Sequence, residues 1–222
     1  MMTNLFSIFD PSSSASFSMN WLSIMMIVMW LPSMYWLIPS RFQILWFIIS
    51  SLLVKEMNNL FSKNKKKYIL LTISIFWFIL MNNFMGLYPY IFTATSHINL
   101  TTILALPLWL TIMIFGWINQ TNSMFSHLVP LGTPMILSVF MVLIETISNL
   151  IRPLTLSVRL TANMISGHLL LCLLSEIMQN FPDTNMFIFP IMAALLTLEM
   201  AVAIIQSYVF IILISLYLNE LN

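Results

Sequence analysis

Residues 135–174 read MILSVFMVLIETISNLIRPLTLSVRLTANMISGHLLLCLL, an uninterrupted stretch with no turn-rich cluster long enough to make a loop. As a helix it would be about 60 Å long, roughly twice the hydrocarbon thickness of a bilayer. Residues 185–218 behave the same way and would run about 50 Å. A single upright span cannot use such lengths. Either each helix lies strongly tilted, or Pro153 divides the first into two spans with no room to turn. Tilt is the better answer. Two long, slanted, adjacent helices then form a wall that something outside the chain must cover.

The rest of the composition agrees with lipid as the solvent. Of the 222 residues, 60% are hydrophobic and only 7% charged, with a mean hydropathy of +0.96. Soluble domains carry about 25% charged residues, so a water-soluble enzyme is excluded. A net charge of +1, with four of eight basic residues in one short cluster, leaves no stripe for nucleic acid. The single cysteine, Cys172, has no internal disulfide partner, and no Cys/His set of metal-ligand spacing exists. No phosphate-cradling glycine loop and no readable Ser-His-acid constellation is present, so no cofactor and no hydrolytic chemistry are expected. Strand-like alternation is weak, while apolar runs of helical span length recur. The expected class is an all-α integral membrane protein.

Outward from the long stretch, residues 1–222 form one membrane domain. A first apolar run covers 17–38 and ends at Pro39-Ser40-Arg41. Residues 41–62 put Arg41, Ser51, Lys55, Asn59 and Ser62 roughly on one face. Gln43 and Ser50 spoil that pattern, and the segment is expected as an interfacial helix. Spans follow at 68–86 and 100–118, before the long helices at 135–174 and 185–218. That makes about five crossings plus one interfacial helix. The run Lys63-Asn64-Lys65-Lys66-Lys67 orients them, facing the negative side of the membrane whether or not it also binds lipid. Residues 1–20 lack the basic region of a signal peptide and the arginines of a transit peptide. His97 and His127 fall in expected loops and read as surface or interface residues. Trp30, Tyr35, Trp36 and Trp46 read as membrane-boundary anchors.

The rare charges sit on the wall. On a helical wheel Glu145, Asn149, Arg152, Arg159 and Asn163 fall within an arc of about 80°, and Glu199 and Gln206 share a face of the second long helix. A charge at the centre of a membrane helix costs roughly 2.5 kcal/mol or more on insertion scales, so such residues are functional by default. The bland alternative is mutual pairing, for example Arg159 with Glu199, and it is stronger for Arg152. Arginine stays protonated and cannot hand a proton on, but it can stabilise a carboxylate that has just lost one. Glutamate and histidine can relay protons, which suits Glu145, His168 and Glu199. Acids near opposite faces with a permanent cation between them suggest two proton paths that do not connect.

Residues 145–168, from Glu145-Thr146-Ile147-Ser148 through Arg159-Leu160-Thr161-Ala162-Asn163 to Gly167-His168, strongly resemble the subunit a family of rotary F-type ATP synthases. The likeness extends through 82–90, 116–119, 127–130, 201–210 and the opening residues 1–11, and so covers nearly the whole chain. It is closest to mitochondrially encoded, arthropod-like forms. The abundance of Met and Phe against 4 Gly fits such an AT-rich origin. The resemblance implies a stationary proton-channel subunit of the Fo sector, not catalytic alone. It would be embedded in the mitochondrial inner membrane, N-terminus in the intermembrane space and C-terminus in the matrix. Its implied partners are the c-ring, other Fo and peripheral-stalk subunits and the lipid bilayer, with no nucleic acid. Arg159 matches the family's essential arginine, and Asn163 and Gln206 match its polar neighbours. His168 and Glu199 resemble the inlet relay, Glu145 an outlet acid, and Glu220 an acidic position near the family's C-terminus. Departures lie in 63–67 and 175–185. The other readings are a stand-alone ion or secondary transporter, which would show repeats or broken helices, and a structural scaffold whose charges merely pair.

Overall fold

The computed structural model describes residues 5–14, 17–30, 32, 35–61, 63–129, 134–181 and 185–220. Among these, every regular element is helical. Seven α-helices run α1 Ser23–Trp30, α2 Arg41–Leu60, α3 Ile69–Gly86, α4 Ile98–Asn119, α5 Thr121–Leu128, α6 Met135–Asn180 and α7 Asn185–Glu220. Short 3-10 turns at Leu5–Phe9, Met19–Leu22, Lys63–Tyr68 and Ala94–Ser96 join or precede them.

Four helical stretches are long and apolar enough to cross a membrane: Lys66–Gly86, Ile98–Asn119, Leu137–Asn180 and Asn185–Asn219. The fifth crossing expected over 17–38 does not reach that standard. Its helix, α1, has 8 residues, about 12 Å against a hydrocarbon core of about 30 Å. Positions 31, 33 and 34 of that run lie outside the described residues. The stretch left between the expected spans 100–118 and 135–174 carries the short helix α5.

Local chemistry explains where α2 begins. Ser40 is its N-cap: the Ser40 amide donates to Gln43 Oε1 at 2.7 Å, and the Gln43 amide donates to Ser40 Oγ at 3.4 Å. The polar Gln43 that disturbs the amphipathic pattern is therefore half of a capping box. α6 continues through Pro153 for 46 residues, about 70 Å, so the proline does not divide it. Having no N–H, Pro153 leaves the Asn149 carbonyl without its usual helical donor. Hydroxyls within the helices mostly bond backward: Ser157 Oγ donates to the Leu154 carbonyl at 2.9 Å and Ser207 Oγ to that of Ile204 at 2.7 Å. Such bonds let many Ser and Thr sit in lipid-facing helices without orphaned groups.

The core gathers where α2, α3, α4, α6 and α7 meet. Met57, Phe76, Ile79, Ala105, Leu160, Phe210 and Ile211 are all deeply buried there. α2 is tied down at three points. The Trp46 ring stacks on Trp77 of α3 with centroids 3.5 Å apart. Tyr208 of α7 donates its hydroxyl to Glu56 at 3.0 Å, and Asn219 donates to the Leu60 carbonyl. Trp46 is thus a packing residue rather than the boundary anchor expected. Tyr35 and Trp36 are 85% exposed, and the Trp30 side chain lies outside the described ones. α6 and α7 pack on each other and on α3 and α4. They nevertheless keep long exposed apolar faces, including Ile147, Leu154 and Val158 on α6 and Leu198, Ile204 and Ile205 on α7.

Candidate functional site

Four of the six candidate residues meet between α6 and α7. Asn163 and His168 of α6 and Glu199 and Gln206 of α7 line one cavity of about 280 Å³, together with Ser166 and Gly167. The spacings explain the convergence. Glu199 and Gln206 are seven apart on α7, so their side chains share a face, as do the polar positions of α6. Gly167 lets the helices close on the acid. A Cβ built there would lie 2.7 Å from Glu199 Oε1 and 2.9 Å from its Cδ. Glu199 is buried, and Glu199 Oε2 and His168 Nε2 have no hydrogen-bond partner among the described residues. Buried groups of that kind normally bond to protein or ordered water, and a cavity of this size, with several polar side chains in its largely apolar wall, has room for it. The ring of Phe9 stands edge-on to His168, centroids 6.5 Å apart.

Glu145 lies in a different cavity. That one, about 550 Å³, is walled by Trp109, Ile112 and Met113 of α4, by Met124 and Leu128 of α5, and by Glu145, Asn149, Arg152 and Tyr217. Arg152 Nη2 is 3.7 Å from Glu145 Oε1, and its guanidinium lies 5.2 Å from the centre of the Tyr217 ring. Mutual pairing therefore describes Arg152, and Arg159 does not pair with Glu199. Arg159 lines neither cavity. It is exposed on α6 and has no ion-pair or hydrogen-bond partner among the described residues. Thr155, Ala162 and Ser166 beside it are also exposed. Along the helix axis Arg159 is about 21 Å from Glu145 and about 14 Å from His168.

Sequence reasoning missed Tyr217, Trp109 and Gly167. Tyr217 had a readable signal, since it lies five full helical turns after Glu199 and so continues the Glu199–Gln206 face. Gly167 and Trp109 had none, because a close approach and a cavity wall belong to packing between helices. His97, expected at a surface or interface, is the N-cap residue of α4. It sits half-buried in a three-ring cluster with Trp21 and Phe92, each 5.2 Å away and 5.6 Å from each other, with Nε2 buried. The side chains of His127 and Glu220 lie outside the described ones.

Four apolar helical stretches of membrane-crossing length, the two longest carrying ionisable groups at only a few interior positions, define a multi-pass helical membrane protein. A family model for the ATP synthase A chain matches residues 15–219. The chain is 57% identical to ATP synthase subunit a of Drosophila melanogaster, with 100% of both chains covered. It is 54% identical to that of Anopheles gambiae over 100% of both, and 55% identical to that of Locusta migratoria over 99% of both. The chain belongs to the ATP synthase A chain family, and ATP synthesis and ion transport are that family's business.

Proposed function

We propose that this chain is the stationary, non-catalytic proton-conducting subunit of the Fo sector of an F-type ATP synthase in the mitochondrial inner membrane. Its N-terminus would lie in the intermembrane space and its C-terminus in the matrix. Its partners would be the c-ring, other Fo and peripheral-stalk subunits, and lipid. The carrying observation is the arrangement along α6. Glu145 lines one cavity and His168 and Glu199 another, and along the helix between them stands an exposed Arg159 with no partner among the described residues.

Each part supports a step. A proton from the intermembrane space passes Glu199 and His168, with Asn163 and Gln206 as polar neighbours, and neutralises a carboxylate on the rotating ring. The neutral carboxyl can then travel through lipid, where a charged one would meet a large desolvation penalty. On meeting Arg159 from the other side, the carboxylate is stabilised in its ionised form and releases its proton towards Glu145 and the matrix. Arginine cannot carry the proton, so it separates the two paths. Thr155, Ala162 and Ser166 give a low surface on which a second helix can come close. One charge crossing 100 mV yields about 2.3 kcal/mol, so several protons are needed for each ATP.

The test is Arg159→Gln in the assembled complex, reconstituted into vesicles. Proton-driven ATP synthesis is expected to vanish with the complex intact, and normal synthesis would sink the mechanism. Glu199→Gln is expected to slow proton entry. A loss only in the amount of complex would favour the scaffold reading for that residue.

A further inference from the structure

The larger cavity contains an ion pair that the two-path reading does not use. Glu145 and Arg152 are two helical turns apart, so their side chains must reach along the axis towards each other to come within 3.7 Å. The Arg152 guanidinium also lies over the Tyr217 ring of α7, 5.2 Å from its centre. All three residues, with Asn149, line the same space between α4, α5, α6 and α7. The pair is therefore held across two helices at the wall of a cavity, with the acid at 39% side-chain exposure and the arginine at 29%.

We propose that Arg152 and Tyr217 are positioning residues for Glu145: the Tyr217 ring keeps the guanidinium where it clamps the Glu145 carboxylate at the cavity wall. The inference rests on the reading of Glu145 as the acid of the exit path. The ring carboxyl loses its O–H bond to water, and water passes a proton to Glu145, which gains an O–H bond, so the ion pair becomes a contact between the guanidinium cation and a neutral acid. Water then takes the proton from Glu145, and the ion pair forms again. Arginine does not titrate in this cycle. It is a long side chain with much rotamer freedom, and a neutral Glu145 holds it weakly. The aromatic face of Tyr217 attracts the cation throughout. The guanidinium thus stays within reach while the acid is neutral, and the carboxylate returns to one geometry after every release.

The experiment uses the assembled complex in vesicles, with rates expressed per assembled complex. Tyr217→Leu and Arg152→Gln are expected to slow proton-driven ATP synthesis by about two- to fivefold, the size of one cation–π contact expressed as a rate. Tyr217→Phe and Arg152→Lys, which keep the ring and the charge, should recover more than half of that loss. The proposal falls if Tyr217→Phe drops as far as Tyr217→Leu, if neither disruptive variant changes the rate, or if the loss is entirely in the amount of complex. Glu145→Gln separates the two levels. Normal synthesis in that variant overturns the exit-acid reading itself, together with the clamp built on it. Impaired synthesis, with Tyr217→Leu and Arg152→Gln normal, removes the clamp and leaves the exit acid standing.

Discussion

Arg152 and Arg159 lie seven residues apart on one helix, and packing gives them opposite surroundings. Arg152 is held by Glu145 and Tyr217, while Arg159 faces outward with no partner among the described residues. Of the four charges on α6, Glu145, Arg152 and Arg159 would together cost about 8–10 kcal/mol at mid-membrane on insertion scales. Pairing accounts for two of them, and Arg159 has no such partner among the described residues, which supports the proposal that a ring carboxylate meets it. The same scale explains Gly167. A methyl group there would lie 2.7 Å from Glu199 Oε1, so Glu199 must leave its place for α6 and α7 to keep their spacing. Gly167→Ala is therefore expected to lower proton entry about tenfold or more, since misplacing a reacting group by about 1 Å can cost a hundredfold. Proton uptake by vesicles carrying the variant measures it, and an unchanged rate at normal assembly would show that Glu199 tolerates the shift.

At the scale of elements, α2 shows what a pattern can and cannot say. Its start is local chemistry, the Ser40–Gln43 capping box. Its place depends on Trp46 against Trp77, Tyr208 on Glu56 and Asn219 on the Leu60 carbonyl, partners over 30 to about 160 residues away in sequence. A stacked aromatic pair is worth about 0.5–1.5 kcal/mol beyond its area. Trp46→Leu should loosen α2 by about that much. Faster trypsin cleavage at the lysines of the Lys63–Tyr68 turn would report it, and an unchanged rate would show that the two polar ties suffice. The 3-10 turn Ala94–Ser96 is fixed in a similar way, against α3, α4 and α6. Gly86 allows its approach, since a Cβ there would lie 2.9 Å from Thr93 Cγ2.

The whole molecule is an apolar bundle whose two longest helices stay uncovered on one side. In water this would be a fault, because exposed apolar patches of this extent mark interaction surfaces. In a bilayer it is an outer surface for lipid and for a partner. The orientation proposed from the lysine run has a direct check. With Cys172 replaced by Ser, Lys66→Cys should react with a membrane-impermeant thiol reagent only from the matrix side. Tyr88→Cys, at an exposed position after α3, should react only from the intermembrane side. The reverse pattern would overturn the orientation and exchange the entry and exit assignments of the two cavities.

Sequence by itself determined the helical membrane class, the existence of two unusually long helices, and the residues worth suspecting; α6 runs to Asn180, six residues past the end expected at 174. Charges are so scarce in an apolar chain that each one is visible, and helical period alone places Glu199 with Gln206 and Glu145 with Arg152. The packing of His97 on Trp21 and of Trp46 on Trp77 was not legible, because each depends on a neighbour distant in sequence. Only the tertiary structure decided that His168 and Glu199 share one cavity, that Glu145 occupies another with Tyr217, and that Arg159 belongs to neither. Periodicity fixes which residues share a face of one helix. Which faces meet is set by close packing between helices, through a glycine here and a tryptophan there, and no single helix carries that information.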